Sequence, residues 1–255
     1  MADRVTFGTH QADIALDSLS RRTGLNRSNG VNTAYAYETD SDLSQINHAW
    51  APAAGQTPAI YGFQHDAAGR ITGLDINRAD LEWAPSTTYA QTYGVPTNLN
   101  QTTSRNGVGL TWDDNGNLLS HGSTSYLWTY GNRLMRVTKP GSTTEYAYDS
   151  QDRRTTVIED GVMTRTLWSG SDEVGEYDLA GLLKRRFIPD GSGSMDARLA
   201  TVNPDNTIFW HHTDHQGSVI GTSNGSGQAV GLTNYSPHGE FGTAADGVTQ
   251  LTAPP

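Results

Sequence analysis

The sequence predicts an all-β fold built from spiralling antiparallel β-hairpins. Three observations predict it: a recurring sequence unit, strands with aromatic residues at every second position, and turns rich in Asp, Asn and Gly. Residues 64–74, QHDAAGRITGL, show the unit, with Asp66 before a small-residue turn and Arg70 before an alternating exit strand. A unit of this length cannot bury its apolar face alone, so neighbouring hairpins are expected to stack.

Related units recur along the chain, with anchors at residues 17, 38, 66, 93, 113, 130, 149 and 178. Six anchors are acidic, and Gly replaces the acid in the copies YGVPTNLNQT and YGNRLMRV. Each carboxylate is expected to accept N–H bonds inside its own turn, and each Arg to lie over an aromatic ring of a neighbouring strand. The residues predicted to define the repeat are Asp17, Asp66, Arg70, Asp113, Asp149, Arg153 and Asp178.

The strands leading into the turns alternate aromatic and small residues, as in TAYAYE (33–38), SYLWTY (125–130) and TEYAYD (144–149). This period of two is typical of a half-buried strand. Residues 10–22 are the only stretch that could support a turn or two of helix, and their alignment with the repeat favours a strand. We predict no long helix.

Composition excludes several classes of function. The formal net charge of −10 and the lack of a basic run argue against nucleic-acid binding, which needs Lys and Arg to neutralise phosphates. There is no cysteine, hence no disulfide or thiolate metal site. No signal peptide or membrane span is apparent, so a secreted or cell-surface location would require a signal-peptide-independent route, with a cytoplasmic stage before export.

Two features resemble a known family. The YD-type units and their intervening strands resemble, over almost the whole chain, the YD repeats of rearrangement hotspot (RHS) proteins and of the related teneurin and insecticidal-toxin C-component shells. Residues 210–242 are similar to the RHS core-associated segment. Gln216 and His238 replace its usual Leu and Phe, and the matching core-motif positions are Thr213, Asp214, His215, Gly217, Ser218, Val219, Tyr235, Ser236, Pro237, Gly239 and Glu240.

The resemblance implies a hollow β-shell in two regions: residues 1–209 as the YD-repeat hairpin array and residues 210–255 as the core-associated segment. In that family a self-cleaving DPxG site follows, and then a variable toxic domain held inside the shell. This sequence reaches Pro255 before any DPxG motif. We therefore expect a fragment or short member, without the toxin, that forms part of a shell.

The segment around His211 to Ser218, outside the predicted repeat, carries the candidate chemistry. On an extended strand His211 and His215 would lie about 13 Å apart, too far to share a metal unless the chain turns. A metal site of His211, His212 and His215, or a hydrolase using Asp214, His215 and Ser218, is the weaker hypothesis. The favoured interpretation is structural: Asp214 orients a histidine ring and pins the segment to the shell.

Three functions remain after the sequence analysis. The favoured one is a non-enzymatic scaffold that needs no cofactor and encloses and helps to deliver a C-terminal toxic polypeptide. Its partners would be the rest of the shell, or a second copy, and the enclosed toxin. The first alternative is a module whose Tyr and Trp side chains bind carbohydrate or a cell surface. The second is a small hydrolase or metal site around His211 to Ser218.

Overall fold

A computed structural model describes residues 4–51, 55–83, 90–191 and 197–235. These residues form twenty-one β-strands and no helix, which confirms the predicted all-β fold. None of the described segments is a helix that could cross a membrane. The chain divides into two compact units: unit 1 is Met1–Pro85, Gly170–Asp172 and Arg185–Pro255, and unit 2 is Ser86–Ser169 and Glu173–Lys184. The boundary predicted between residues 209 and 210 stays a prediction.

Unit 1 contains two sets of antiparallel strands, each strand paired with the next in sequence. The first set is a seven-stranded sheet in the order β1 to β7, and the second runs from β17, most of which belongs to this unit, to β21. The strands are β1 Arg4–Phe7, β2 His10–Leu16, β3 Arg22–Arg27, β4 Asn32–Tyr37, β5 Leu43–Ala49, β6 Ala59–His65, β7 Ile71–Ile76, β17 Leu183–Pro189, β18 Arg198–Val202, β19 Ile208–Thr213, β20 Val219–Ser223 and β21 Ala229–Leu232.

Unit 2 is formed by β8 to β16, again with sequence neighbours paired. Most of its pairs are joined by short turns, such as Asn106-Gly107 between β8 and β9, where both residues have positive φ. Such turns match the twist of the strands that they join. The strands are β8 Ser104–Arg105, β9 Val108–Trp112, β10 Leu118–His121, β11 Thr124–Trp128, β12 Leu134–Lys139, β13 Ser142–Tyr148, β14 Arg154–Glu159, β15 Val162–Ser169 and β16 Asp172–Asp178.

A five-residue turn recurs in both units. The N–H of its first residue, here called the anchor, donates to the carbonyl of the fifth residue, and the N–H of the fourth donates back to the anchor carbonyl. The fourth residue has positive φ in every copy, a conformation favoured by Gly and tolerated by Asn and Asp. The eleven anchors of acidic, amide or hydroxyl type are Asp17, Glu38, Asp66, Thr97, Asp113, Thr129, Asp149, Asp178, Asn203, Asp214 and Asn224.

The sequence prediction was wrong at the copies anchored on residues 93 and 130. The turns begin instead at Thr97 and Thr129. The Thr129 hydroxyl accepts the backbone N–H of Gly131 at 3.2 Å and of Arg133 at 3.0 Å. A hydroxyl therefore replaces the carboxylate as the cap, which a search for acidic anchors overlooks.

The core lies in unit 1, where side chains from both sets of strands meet. One cluster includes Val31, Ile46 and Tyr61 with Ile220 and Leu232 of β20 and β21. The other cluster joins β2 and β3 to β17, β18 and β19, and its members are Ala12, Ile14, Leu25, Ile188, Leu199, Ala200, Val202, Ile208 and Trp210. Burial of these apolar surfaces, at roughly 25 cal/mol per Å², is the main stabilising contribution in this unit.

Candidate functional site

Asp66 and Arg70, the acid and base of the most regular copy, are bonded to each other. Asp66 Oδ1 accepts the backbone N–H of Ala68 at 2.9 Å and of Arg70 at 3.1 Å, and Oδ2 accepts Arg70 Nε–H at 2.8 Å. The Arg70 side chain, followed by these backbone amides, lowers the pKa of the Asp66 carboxyl. Arg70 closes its own turn and contacts no aromatic ring among the described residues, so the prediction that it lies over a ring of a neighbouring strand was wrong.

Asp17 and Asp149 cap their turns in the same way. Asp17 Oδ2 accepts Arg21 Nε–H, and Asp149 Oδ2 accepts Arg153 Nε–H, each at 2.7 Å. Here the Arg side chain also reaches an aromatic ring of a later strand: Arg21 lies 4.5 Å from the centre of Tyr37, and Arg153 lies 5.7 Å from Trp168. The guanidinium therefore links a turn to its neighbouring hairpin.

The remaining predicted repeat acids also lie at turn anchors. Asp113 Oδ1 accepts the N–H groups of Asn115 and Asn117, and its Oδ2 accepts the Asn117 side-chain amide at 2.8 Å. That side-chain amide is the largest cause of the lowered pKa of Asp113. Asp178 Oδ1 accepts the N–H of Leu182 at 2.8 Å. Asp113 therefore uses a neutral amide where Asp66 uses Arg70.

Aromatic side chains tie several hairpins to the hairpin before. Trp128 stands immediately before the anchor Thr129, and its Nε1–H donates to the carbonyl of Leu118, five residues after the preceding anchor, at 2.8 Å. Tyr148 donates to Leu134 in the same relative position at 2.9 Å. Equivalent bonds, which we call struts, join Tyr37 to Arg22, Trp112 to Thr102, Trp168 to Arg154 and Tyr235 to Val219.

The histidine segment continues the repeat. Strand β19 ends at Thr213, and Asp214 anchors the five-residue turn that follows. Asp214 Oδ1 accepts the N–H groups of Gln216 and Ser218 at 2.9 Å each. Asp214 thus caps a turn instead of orienting a histidine ring, which corrects the sequence prediction. His215 lies in this turn with its ring 4.8 Å from that of Phe63.

His211 and His212 point into the interior of unit 1. His211 is 2% exposed and lies 2.8 Å from the Thr201 hydroxyl through Nε2; His212 is fully buried, with Nε2 2.9 Å from the Ser223 hydroxyl. His215 is instead exposed in the turn. The three histidines are therefore not brought together, and the described residues contain no group of three His, Cys, Asp or Glu placed to hold a metal.

Sequence reasoning missed the partners of this segment: Arg27, Thr33 and His48. Arg27 Nη1 donates to Thr33 Oγ1 at 2.8 Å, and Nη2 donates to the carbonyl of His211 at 3.1 Å. Thr33 Oγ1 lies 2.9 Å from His48 Nδ1, and His48 Nε2 lies 3.1 Å from the carbonyl of Thr213. Because these residues are about 165 or more positions from the histidine segment, only the tertiary fold shows the network.

Burial dominates the electrostatics of this network. It lowers the pKa of His48 to about 3 and that of His211 to about 4, and it holds the pKa of His212 well below its ordinary value. Burial also lowers the pKa of Arg27 to about 10. The histidines are neutral at pH 7 and have no exposed ring for a substrate, so the network acts as a polar core.

The remaining core-motif residues have structural positions. The carbonyl of Thr213 accepts from His48, and Gly217 supplies the positive φ of +85° in the Asp214 turn. Tyr235 forms the strut to Val219, and Ser218 donates its N–H to Asp214. Pro237 and Gly239 lie outside the described residues, as do Ser236 and Glu240.

Solved structures with a similar fold contain Tc toxin components. The Photorhabdus luminescens Tc holotoxin pore with a mutated TccC3 is similar to 91% of this chain with a TM-score of 0.59 and 13% identity. A crystal structure of TcdB2-TccC3-Cdc42 is similar to 92% with a TM-score of 0.58 and 13% identity. The match covers 15% and 16% of those chains, respectively.

Two curated Bacillus proteins are similar in sequence. The tRNA3(Ser)-specific nuclease WapA of Bacillus spizizenii is 27% identical over 146 residues, and the tRNA nuclease WapA of Bacillus subtilis is 26% identical over the same length. The solved structures and these two relatives support the resemblance of this chain to RHS-repeat proteins. No protein-family model matches the chain. The similar part is 55% of this chain and only 6% of each WapA protein.

Proposed function

We propose that this chain is shell material of an RHS-type toxin that encloses a toxic C-terminal polypeptide and helps to deliver it. The observation that carries the proposal is the repeated strut. Each strut joins one hairpin to the preceding one through a side chain and a backbone carbonyl, so the array can continue for any number of copies. An enclosing wall needs such a linear, extensible design.

The candidate metal-binding and catalytic residues support a structural role. The rings of His211 and His212 are buried against the Thr201 and Ser223 hydroxyls, and Asp214 accepts two backbone amides of its own turn. A nucleophilic Ser needs a general base within hydrogen-bond reach. Among the described residues no hydrogen bond joins Ser218 to His215, the exposed histidine of the same turn. In this arrangement the segment fastens β19 to the surrounding strands. Carbohydrate or cell-surface recognition stays an untested alternative.

The absence of cysteine from the sequence offers a direct test of enclosure. Ser125 and Thr124 are adjacent on β11, so their side chains lie on opposite faces of the sheet. Ser125→Cys and Thr124→Cys would be introduced separately into the full-length product of the gene. Each variant would be treated with a small maleimide and with a bulky polyethylene-glycol maleimide.

A closed shell predicts that both sites react with the small reagent and only one reacts with the bulky reagent. The same two variants in the 255-residue chain serve as the control, since both sites should accept the bulky reagent in a part of a shell. Equal bulky labelling of both sites in the full-length product would contradict enclosure. A gene that ends at residue 255, with no toxin-like neighbour, would contradict the toxin partner.

A further inference from the structure

The network around His48 and His212 places an unpaired cation inside unit 1. Arg27 is 5% exposed, and its contacts are a hydroxyl and a carbonyl; within the described ranges it forms no ion pair. Burying a charge without a counter-ion is costly, and it makes any further positive charge nearby unfavourable. Arg27 therefore favours neutral histidines around it.

The hydrogen bonds fix the protonation state of His48. The carbonyl of Thr213 can only accept, so His48 Nε2 carries the proton and Nδ1 accepts from the Thr33 hydroxyl. That hydroxyl in turn accepts from Arg27. The chain of donors runs in one direction from Arg27 to Thr213, and an added proton on His48 Nδ1 would leave the Thr33 hydroxyl hydrogen without its acceptor.

His212 is held against the same group. Its ring lies edge-on to His48 at 5.4 Å between centroids and edge-on to Trp50 at 4.9 Å. Ser223 Oγ, its hydrogen-bond partner, also accepts from the Asn29 side-chain amide at 3.1 Å. A proton on His212 would add a positive charge beside His48 and Arg27, with Trp50 on its other side.

The groups facing the histidines do not supply a compensating negative charge. Arg22 of β3 and Tyr35 of β4 influence the pKa of Arg27 electrostatically. In the same way Arg198 of β18 influences the pKa of His211, and His48 and His211 influence that of His212. The nearest acidic group after β19 is Asp214, whose charge acts on Tyr61 and Tyr235. The charged groups that act on the three histidines, Arg27 and Arg198, are both cations.

We propose that His48, His212 and Arg27 form an acid-sensitive joint that holds β3 to β5 against β19 and β20, and that protonation of the two histidines separates these strands. The joint is a property of this chain and does not depend on enclosure. Its consequence for a shell, opening below about pH 6, rests on the proposed function.

The lowered pKa values determine how the stability of the folded chain changes with pH. In the unfolded chain each histidine takes up a proton near pH 6.5, whereas burial first, and Arg27 second, lowers the folded pKa of His48 to about 3. Stability is therefore complete above about pH 6.5 and falls as the pH decreases towards 4. The capping carboxylates Asp17, Asp66, Asp113 and Asp149 have pKa values lowered from 3.8, so they titrate below this window.

Native-state hydrogen exchange of the whole chain between about pH 7.5 and 5.0, corrected for the intrinsic exchange rate, tests the joint. The opening constant of β5 and β19 should rise about tenfold per pH unit below pH 6.5 for each buried histidine that opening exposes. His48 and His212 together contribute about a hundredfold per pH unit, and His211 on β19 contributes about a further tenfold down to about pH 4. Strands β13 and β14 of unit 2 provide an internal reference that should change little.

His48→Gln and His212→Gln should each reduce this dependence by about tenfold per pH unit, because Gln can retain the Nε2 hydrogen bond without titrating. His121→Gln in unit 2 is the matched control and should leave it intact. Unchanged dependence in both cluster variants would overturn the proposal. If a variant fails to fold, the unmodified chain still decides: equal acid sensitivity of β19 and β13 would overturn it as well.

Discussion

Units 1 and 2 are built from the same turn and strut, yet among the described residues only unit 1 has a buried core. Every fully buried hydrophobic side chain in the described residues belongs to unit 1. In unit 2 the aromatic residues preceding the turns, such as Trp128 and Tyr148, are half-buried and donate to backbone carbonyls. The repeat therefore specifies a hairpin and its link to the previous hairpin, whereas a core requires a second layer of strands.

Polar groups also have different roles in the two units. In unit 2 they lie in turns and struts, where water can reach them. In unit 1 the Arg27 network lies between two sets of strands, where its groups depend on one another for hydrogen bonds. Among the described residues, Arg27 Nε, His211 Nδ1 and His212 Nδ1 are buried without a partner. A substitution should consequently cost more in unit 1 than at the equivalent place in unit 2.

Replacing a core tryptophan should give the largest effect. Trp210 is fully buried and packs against Phe7 at 5.5 Å between ring centres, so Trp210→Ala should destabilise unit 1 by about 3–5 kcal/mol. Trp128→Ala in unit 2 should cost about 2 kcal/mol, because this side chain is already partly exposed. Hydrogen exchange read separately on β19 and β11 measures both. Equal losses would contradict the contrast between the units.

Two turn glycines offer a second matched pair. Gly227 and Gly161 both have positive φ, so Ala at either position costs about 1 kcal/mol in backbone strain. A Cβ on Gly161 meets no atom within 4 Å, whereas one on Gly227 would overlap the Asn29 carbonyl oxygen and the Ala51 side chain. Gly227→Ala should therefore lose about 2–4 kcal/mol and Gly161→Ala about 1 kcal/mol.

Urea unfolding of the two glycine variants, with amide exchange to assign each loss to its unit, measures this difference. The Gly161 variant controls for φ strain because it lacks the overlap. A Gly227→Ala protein as stable as the Gly161→Ala protein would show that the Asn29 and Ala51 segments move apart freely, and that the turn is not packed against them.

The local features were readable from the sequence because they depend on neighbours in the chain. An acid followed three residues later by Gly, as in Asp66 and Gly69, is enough to indicate the turn. The Thr97 and Thr129 anchors could have been found by also allowing a hydroxyl before Asn100 and Asn132. The Arg27–His48 contact with β19 could not, since nothing local to Arg27 indicates a partner 184 residues away.

The smallest expected effect concerns the strut itself. Tyr148→Phe removes one hydrogen bond, to the carbonyl of Leu134, and keeps the ring in place. The net cost of one such bond is about 1 kcal/mol. In unit 1 the equivalent Tyr37→Phe removes the bond to the carbonyl of Arg22 but leaves Arg21 over the ring, so its loss should be similar or smaller. Amide exchange at β12 and β13 reads the first variant, and exchange at β3 and β4 reads the second.

If the strut links two strands, removing its hydrogen bond should destabilise both of them. Tyr148 belongs to β13, and its acceptor Leu134 belongs to β12, which begins directly after the preceding anchored turn at Thr129. Tyr148→Phe should therefore speed exchange on both strands and leave β9 unchanged. A loss confined to β13 would mean that the tyrosine stabilises only its own strand. In that case the stacking of rings, and not the bond to the earlier hairpin, would stabilise the contact between successive hairpins.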